Sequence, residues 1–412
     1  MKIALVIEAF DPRRGGAEQW TWQLAQHLVR ARHAVHVVAG RFSESAASMG
    51  VVCHATEPAA SKTGFALAAD HALAKLDVDV VHDMGSGWTC DVFQPHFGSR
   101  AALERGASPL TPWWLRPMKR LARGWLPRYQ DYRRLTTAQY AAHDRLYVAV
   151  SNMVADDLTN DYGVPRAAIR VVPNGVDVNR FSFDQRKFYR AAMRARLGVD
   201  EGETLVLIVA HNARLKGVPA LAAAVERLAL AGRRVRLAVV GGKRRTISTA
   251  PVARAKVAAS PRAADLSRFS LHADYTARPQ PPPAPRVMWL GPVDDPRPYY
   301  AAADIYAQPT YYDACSLVVL EALACGLPVI TTRRNGASER MTAECGRVLS
   351  NPSDVGALTS ALGEMLSRDT RAAMSAAARD AALTGDLETN WRGIENVYAE
   401  IIERRQHLRR AA

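Results

Sequence analysis

The run Pro173-Asn174-Gly175-Val176-Asp177 divides the chain, and the same rhythm stands on either side of it. Pro, Asn and Gly in close succession stop regular structure and start a turn. Upstream, short apolar runs alternate with helical stretches. Strands are expected at residues 3–7, 35–38, 78–81, 91–94, 147–150 and 169–172, with helices at 17–31, 65–76 and 153–162. Downstream the alternation starts again. Strands are expected at 204–210, 235–240, 287–290, 305–308 and 329–331, with helices at 218–231, 317–325, 354–367 and 371–383 and a final one from about 388 to 404. Such alternation builds a parallel sheet covered by crossover helices. Two copies joined by a linker imply an α/β chain of two Rossmann-like domains with a cleft between them. In such sheets ligands lie outside the carboxyl ends of the strands, where the strand order reverses. The expected division is 1–172, a linker at 173–185, a second domain at 186–385 and a C-terminal helix at 386–412.

Bulk properties agree with this division. The chain has 412 residues, 48% hydrophobic and 23% charged, enough to give each domain its own core. No apolar run approaches the ~20 residues that span a bilayer. The chain opens directly on the strand-like Met1-Lys2-Ile3-Ala4-Leu5-Val6-Ile7, with no leader pattern ahead of it. Five scattered cysteines, none in a C-x-x-C pair, read as reduced thiols and not as a disulfide framework or zinc site. His33 and His36 lack the cysteine or carboxylate company that a metal site needs, so no metal is expected. The expected compartment is the cytoplasm.

The net charge of +14 resembles a nucleic-acid signal until its distribution is read. Residues 100–134 hold nine Lys or Arg against two Asp or Glu, and residues 243–285 hold eight against two. Outside these two segments the chain is nearly neutral, and no nucleic-acid-binding module is recognisable. Residues 243–285 are rich in Ala, Arg, Ser and Pro and poor in large apolar residues, which reads as a solvated flexible insertion. In residues 100–134 the basic residues interleave with Trp113, Trp114, Trp125, Tyr129 and Tyr132. Trp and Tyr favour the headgroup boundary, and Pro112, Pro117 and Pro127 exclude one long helix. Short interfacial helices on an anionic membrane are expected there. The competing reading is a basic surface helix pair whose tryptophans pack on the first sheet.

Three constellations could carry chemistry. Gly15-Gly16-Ala17-Glu18 follows the first strand and opens a helix, where backbone N–H groups can meet an anion or a sugar; a plain tight turn is the alternative. His211-Asn212-Ala213-Arg214-Leu215-Lys216-Gly217 follows the first strand of the second domain. Two cations at a strand's carboxyl end suit a pyrophosphate, although a basic surface loop would look the same. Most specific is the run from Pro309 through Asp313, Ser316, Leu317, Val318 and Glu321 to Gly326-Leu327-Pro328-Val329-Ile330. There a strand leads through a loop into a helix that Ser316 can cap, presenting unpaired N–H groups to the cleft. Asp313 precedes that helix start and Glu321 lies inside it, so one carboxylate can hold sugar hydroxyls while the other reaches a ribose.

Together these motifs resemble the retaining glycosyltransferases of family 4, of GT-B fold, and within it are similar to lipopolysaccharide-core glucosyltransferases. The likeness runs through Gly-Gly-x-Glu, Val-Pro-Asn-Gly-Val-Asp, Lys216-Gly217 and the carboxylate pair with its Ala-Leu-Ala-x-Gly-Leu-Pro-Val-Ile sequel. It implies a UDP- or GDP-sugar donor, no divalent metal or other cofactor, retention at the anomeric carbon, and a C-terminal helix returning to the first domain. Carried over by position, Glu321 binds ribose and Lys216 binds phosphate. The amides of Ser316, Leu317 and Val318 also face the phosphates. Asp313 stands where the family usually has a glutamate facing the donor sugar; it is one methylene shorter. The companion arginine's usual position is His211 here, with Arg214 offset as a substitute. His96, in Gln94-Pro95-His96-Phe97-Gly98, matches the first-domain histidine near the reaction centre, and His82 is its rival.

The resemblance further implies a glycan or lipid-linked acceptor, met at the inner leaflet by a cytoplasmic, peripheral enzyme. Lys216, Arg214 and the helix start would stabilise the departing phosphate, which can then take the acceptor's proton on the same face. A nucleotide-sugar epimerase or hydrolase of the same fold is the main alternative, and a small soluble acceptor is another.

Overall fold

The computed structural model describes residues 1–141, 144–242 and 286–411. Seven strands form the first sheet: β1 (Lys2–Phe10), β2 (Ala34–Phe42), β3 (Val52–Ala55), β4 (Val80–Asp83), β5 (Val92–Phe93), β6 (Leu146–Ala149) and β7 (Ile169–Val171). Six form the second: β8 (Thr204–Val209), β9 (Val235–Val240), β10 (Val287–Gly291), β11 (Ile305–Gln308), β12 (Val329–Thr332) and β13 (Gly346–Leu349). Their orders are β3-β2-β1-β4-β5-β6-β7 and β10-β9-β8-β11-β12-β13, with every pairing parallel. Both sheets are doubly wound, so the GT-B expectation is met. The order reverses between β1 and β4 in one and between β8 and β11 in the other.

Alternation along a strand sends successive side chains to opposite faces, and both faces of these sheets are covered. On β1, Ile3, Leu5 and Ile7 pack with Trp20 and Leu24 of the helix Gly16–Arg30. Ala4 and Val6 pack instead with Phe65, Ala69 and Leu73 of the helix Lys62–Leu73. On β8, Val206 and Ile208 face the helix Val218–Leu230, while Leu205 and Leu207 join a core that includes Val319 and Leu320.

The linker is a packed crossover. The Asn174 amide donates to the Cys315 carbonyl at 3.0 Å, and a Cβ on Gly175 would sit 2.5 Å from the Asp386 carbonyl oxygen. The long C-terminal helix, Leu387–Ala411, then returns to the first domain. It does so through Asn390 to Trp20 (3.0 Å), Glu395 to His27 (3.0 Å), Tyr398 to His82 (2.7 Å) and Glu400 to Arg170 (2.8 Å).

Two strands escape the sequence reading, and both are sheet edges. β3 reads Val-Cys-His-Ala with Val52, Cys53 and Ala55 exposed, and β13 reads Gly-Arg-Val-Leu. An edge strand has one neighbour and part of its surface in water, so it needs no continuous apolar run. The insertion expected at 243–285 lies outside the described residues. Residues 100–134 fold as the helices Arg100–Ala107 and Arg116–Trp125, the start of Pro127–Ala141, and two short turns between them. No helix among the described residues is long and apolar enough to cross a membrane.

Candidate active site

The sequence motifs converge on the two switch points. The loop after β8 and the loop after β11 lie side by side, and Gly217 lets them approach. Its φ is +80°, and a Cβ there would fall 2.0 Å from the Pro309 carbonyl oxygen. No other residue type fits that position without moving a strand end. The approach brings Lys216 against Asp313, and their side chains form a direct ion pair. Gln308, the last residue of β11, donates to the same Asp313 oxygen at 3.0 Å.

The helix Leu317–Ala324 begins just beyond. Ser316 holds the cap position, but its hydroxyl bonds Gln308 (3.1 Å) and caps nothing. Its amide donates to the Asn335 side chain at 3.2 Å. Of the three amides expected to face phosphate, Ser316's is therefore already engaged by a neighbour. Those of Leu317 and Val318 have no partner among the described residues and remain open at the positive end of the helix. Gly16, from the first domain, lies directly against this helix start: a Cβ there would meet the Leu317 side chain at 3.4 Å. The glycine loop and the helix start thus form two walls of one cleft.

Glu321 is buried, with Tyr300 donating to its Oε2 at 2.8 Å. Burial raises its carboxyl to about 7, while the Tyr300 hydrogen bond and the Arg180 charge work in the opposite direction. Removing water from a carboxylate disfavours its charged form, and such perturbed groups concentrate at functional sites. Arg214 stands apart from this cluster, its guanidinium donating to the Leu110 carbonyl of the first domain at 3.3 Å.

In the first domain, His96 lies in the loop that follows β5, its ring against that of Trp20 with centroids 4.5 Å apart. Burial lowers it to about 3, so the imidazole is neutral, and its Nε2 is buried with no partner among the described residues. It lines a cavity of about 270 Å³ with Arg100, Tyr132 and Tyr140. His82 is lowered to about 3 as well, by burial and by His96 beside it, but Tyr398 of the C-terminal helix holds its Nδ1. The segment after His96 meets the segment around Asp313: Ser99 N–H donates to the Tyr312 hydroxyl at 3.0 Å, and Tyr312 donates to Asp157 at 3.0 Å. His96 and Asp313 therefore belong to chain segments that touch across the cleft.

Gln308, Tyr300, Tyr306, Tyr312 and Trp20 did not emerge as site residues from the sequence. Gln308 alone left a trace there, as a polar residue closing an apolar strand just before Pro309.

Two family descriptions match this chain: "Glycosyltransferase Family 4" over residues 14–180 and "Glycosyl transferases group 1" over residues 203–368. The chain is a family 4 glycosyltransferase. This transferase is 32% identical over 269 residues to a D-inositol 3-phosphate glycosyltransferase of Xylanimonas cellulosilytica, covering 64% of its own length and 59% of that protein. A GDP-mannose-dependent alpha-(1-6)-phosphatidylinositol monomannoside mannosyltransferase of Mycolicibacterium smegmatis is 26% identical, over 99% of this chain and all of that one. Among solved structures, WaaG, a glycosyltransferase involved in lipopolysaccharide biosynthesis, superposes with a TM-score of 0.72 at 19% identity. That match covers 96% of the transferase and 99% of WaaG.

The exposed surface of residues 100–134 contradicts the packed-tryptophan alternative. Trp113 and Trp125 are each 78% exposed, and Trp114, Met118 and Leu121 are exposed too. Met118, Leu121 and Trp125 share one face of the helix Arg116–Trp125 by their spacing, beside a basic stripe of Arg116, Lys119 and Arg123. An open groove of about 500 Å³ runs among Trp113, Arg116, Leu121 and Trp125.

Proposed function

We infer that this transferase moves a hexose from a nucleoside-diphosphate sugar to a glycan or lipid-linked acceptor, with retention at the anomeric carbon and without a metal. Cell-envelope polysaccharide or lipopolysaccharide synthesis is the setting. The carrying observation is the meeting of Lys216, Asp313, the open Leu317 and Val318 amides and buried Glu321 at the second switch point. Each group has a part in that reaction. The amides and Lys216 hold the diphosphate, which gains charge as the glycosidic bond breaks, so they stabilise the transition state more than the ground state. In the free protein Lys216 rests on Asp313; an arriving phosphate competes for it. Glu321, fixed on one oxygen by Tyr300, accepts from ribose hydroxyls with the other. Asp313 accepts from the sugar hydroxyls, and neutral His96 meets the sugar from the opposite wall. The departing phosphate accepts the acceptor's proton on the face it leaves, so no protein nucleophile is needed.

The exposed helix face favours an acceptor at an anionic membrane. A helix with an apolar stripe in water and a basic stripe beside it gains by lying in the interface. UDP-hexose is the donor the motifs suggest; GDP-mannose is the second candidate, because the full-length mannosyltransferase relative uses it. The test is incubation with radiolabelled UDP-glucose or GDP-mannose and a bacterial lipid extract. Label in the organic phase from one donor supports the reading. Label released only as free sugar supports the hydrolase instead, and an untouched donor contradicts both.

A further inference from the structure

Gln308 is fully buried at the carboxyl end of β11, and both halves of its amide are engaged. A relay fixes which way the amide points. The Val209 N–H donates to the Tyr306 hydroxyl at 3.4 Å, and that hydroxyl donates to Gln308 Oε1 at 2.8 Å. With Oε1 thus occupied as an acceptor, Nε2 must face the other way. There it donates to Asp313 Oδ2 at 3.0 Å and to Ser316 Oγ at 3.1 Å. Lys216 binds the same Oδ2, and Oδ1 has no partner among the described residues, while the side chain keeps 15% of its surface exposed.

We propose that Gln308 is a positioning residue for the donor sugar: by gripping Asp313 Oδ2 it turns Oδ1 toward the sugar hydroxyls. This rests on the donor reading above. The need for a second grip follows from the shared lysine. When a diphosphate draws Lys216 away, a neutral amide anchored on a buried phenol is not drawn with it, and Asp313 stays aimed. Gln308 also occupies the Ser316 hydroxyl, which keeps that hydroxyl from closing over the helix start.

The test is calorimetric titration of the whole protein with UDP, UDP-glucose, GDP and GDP-mannose. Gln308→Glu keeps the shape and the Tyr306 and Ser316 bonds, but sets an acceptor against Asp313. Gln308→Met keeps the length and removes the donor. The expected result is a loss of about tenfold in the affinity of the sugar conjugate relative to its free nucleotide, the scale of one hydrogen bond to a charged group. For Gln308→Met, which adds no charge beside Lys216, free-nucleotide affinity should stay within about threefold; for Gln308→Glu, the lost ratio should recover as pH falls from about 8 to about 6, because the introduced carboxyl donates once it is protonated. A merely structural role would show no such recovery. An unchanged ratio in both variants, or a sugar loss matched by an equal loss for free nucleotide, overturns the inference. Wild-type protein that binds none of the four ligands overturns the donor reading and this inference with it.

Discussion

Replacing Glu321 with Gln should stabilise the free protein at neutral and alkaline pH while weakening its hold on nucleotide. The buried carboxyl titrates near 7 in the fold against a usual value of 4.5. A displacement of one pH unit is worth about 1.4 kcal/mol, so the folded protein bears a penalty of about 3 kcal/mol once the group is ionised. The sign follows from proton binding. Between about 4.5 and about 7 the folded state binds more protons than the unfolded chain, so stability falls as pH rises through that window. Below it the carboxyl is protonated in both states and costs nothing. Gln cannot ionise, and its carbonyl can still accept from Tyr300. Melting temperatures of wild type and Glu321→Gln, taken from about pH 5 to about pH 8.5, should therefore diverge. The variant gains with rising pH by several degrees, about 2–4 °C per kcal/mol for a unit of this size. The same concentration of nucleotide should then raise the variant's transition by less than it raises the wild-type one. A wild-type/variant difference that is flat across this pH range would mean that Glu321 is not held as a buried, proton-retaining carboxyl, and the reasoning fails.

Transfer activity should persist in excess EDTA, because on the proposed reading Lys216 and the helix start supply the positive charge the diphosphate needs; loss on chelation with recovery in Mg²⁺ or Mn²⁺ would reject metal independence. Vesicle co-sedimentation should rise with anionic lipid and fall with salt. Changing Arg116 and Lys119 to Ser should then cut the partition by about thirtyfold at low salt, at roughly 1 kcal/mol per charge, whereas Arg123 is already paired with Glu104. Equally poor capture by neutral and anionic vesicles would argue for an acceptor free in solution.

Much of this was legible in the chain because the parallel strands are buried on both faces. Ile3–Ile7 and Leu205–Ile208 contain no solvent-facing alternation, so their apolar runs stand out, whereas the half-wet edges β3 and β13 do not. That the loops carrying Lys216 and Asp313 both serve the cleft could be expected from their places after strands; that the two side chains pair depends on β8 and β11 being neighbours in the sheet. The Gln308 relay could not, since it depends on the Val209 N–H of β8 holding the Tyr306 hydroxyl of β11, which in turn donates to the Gln308 amide oxygen. Nor does any pattern announce that Ser316 stands at a cap and bonds elsewhere, or that Arg214 reaches across to Leu110. The exposure of Trp113 and Trp125 was equally undecided by sequence, because an aromatic-basic stretch suits a buried face and an interfacial one alike.

The most direct test of the central claim, that a nucleoside-diphosphate sugar is held at the second switch point by Lys216, is calorimetric titration of wild type and Lys216→Ala with UDP and GDP. The account predicts one site per chain for at least one nucleotide, weakened by about 10- to 100-fold in the variant through loss of a charge-assisted contact to phosphate. Equal affinity in the two proteins, or no binding of either nucleotide to wild type, would contradict it.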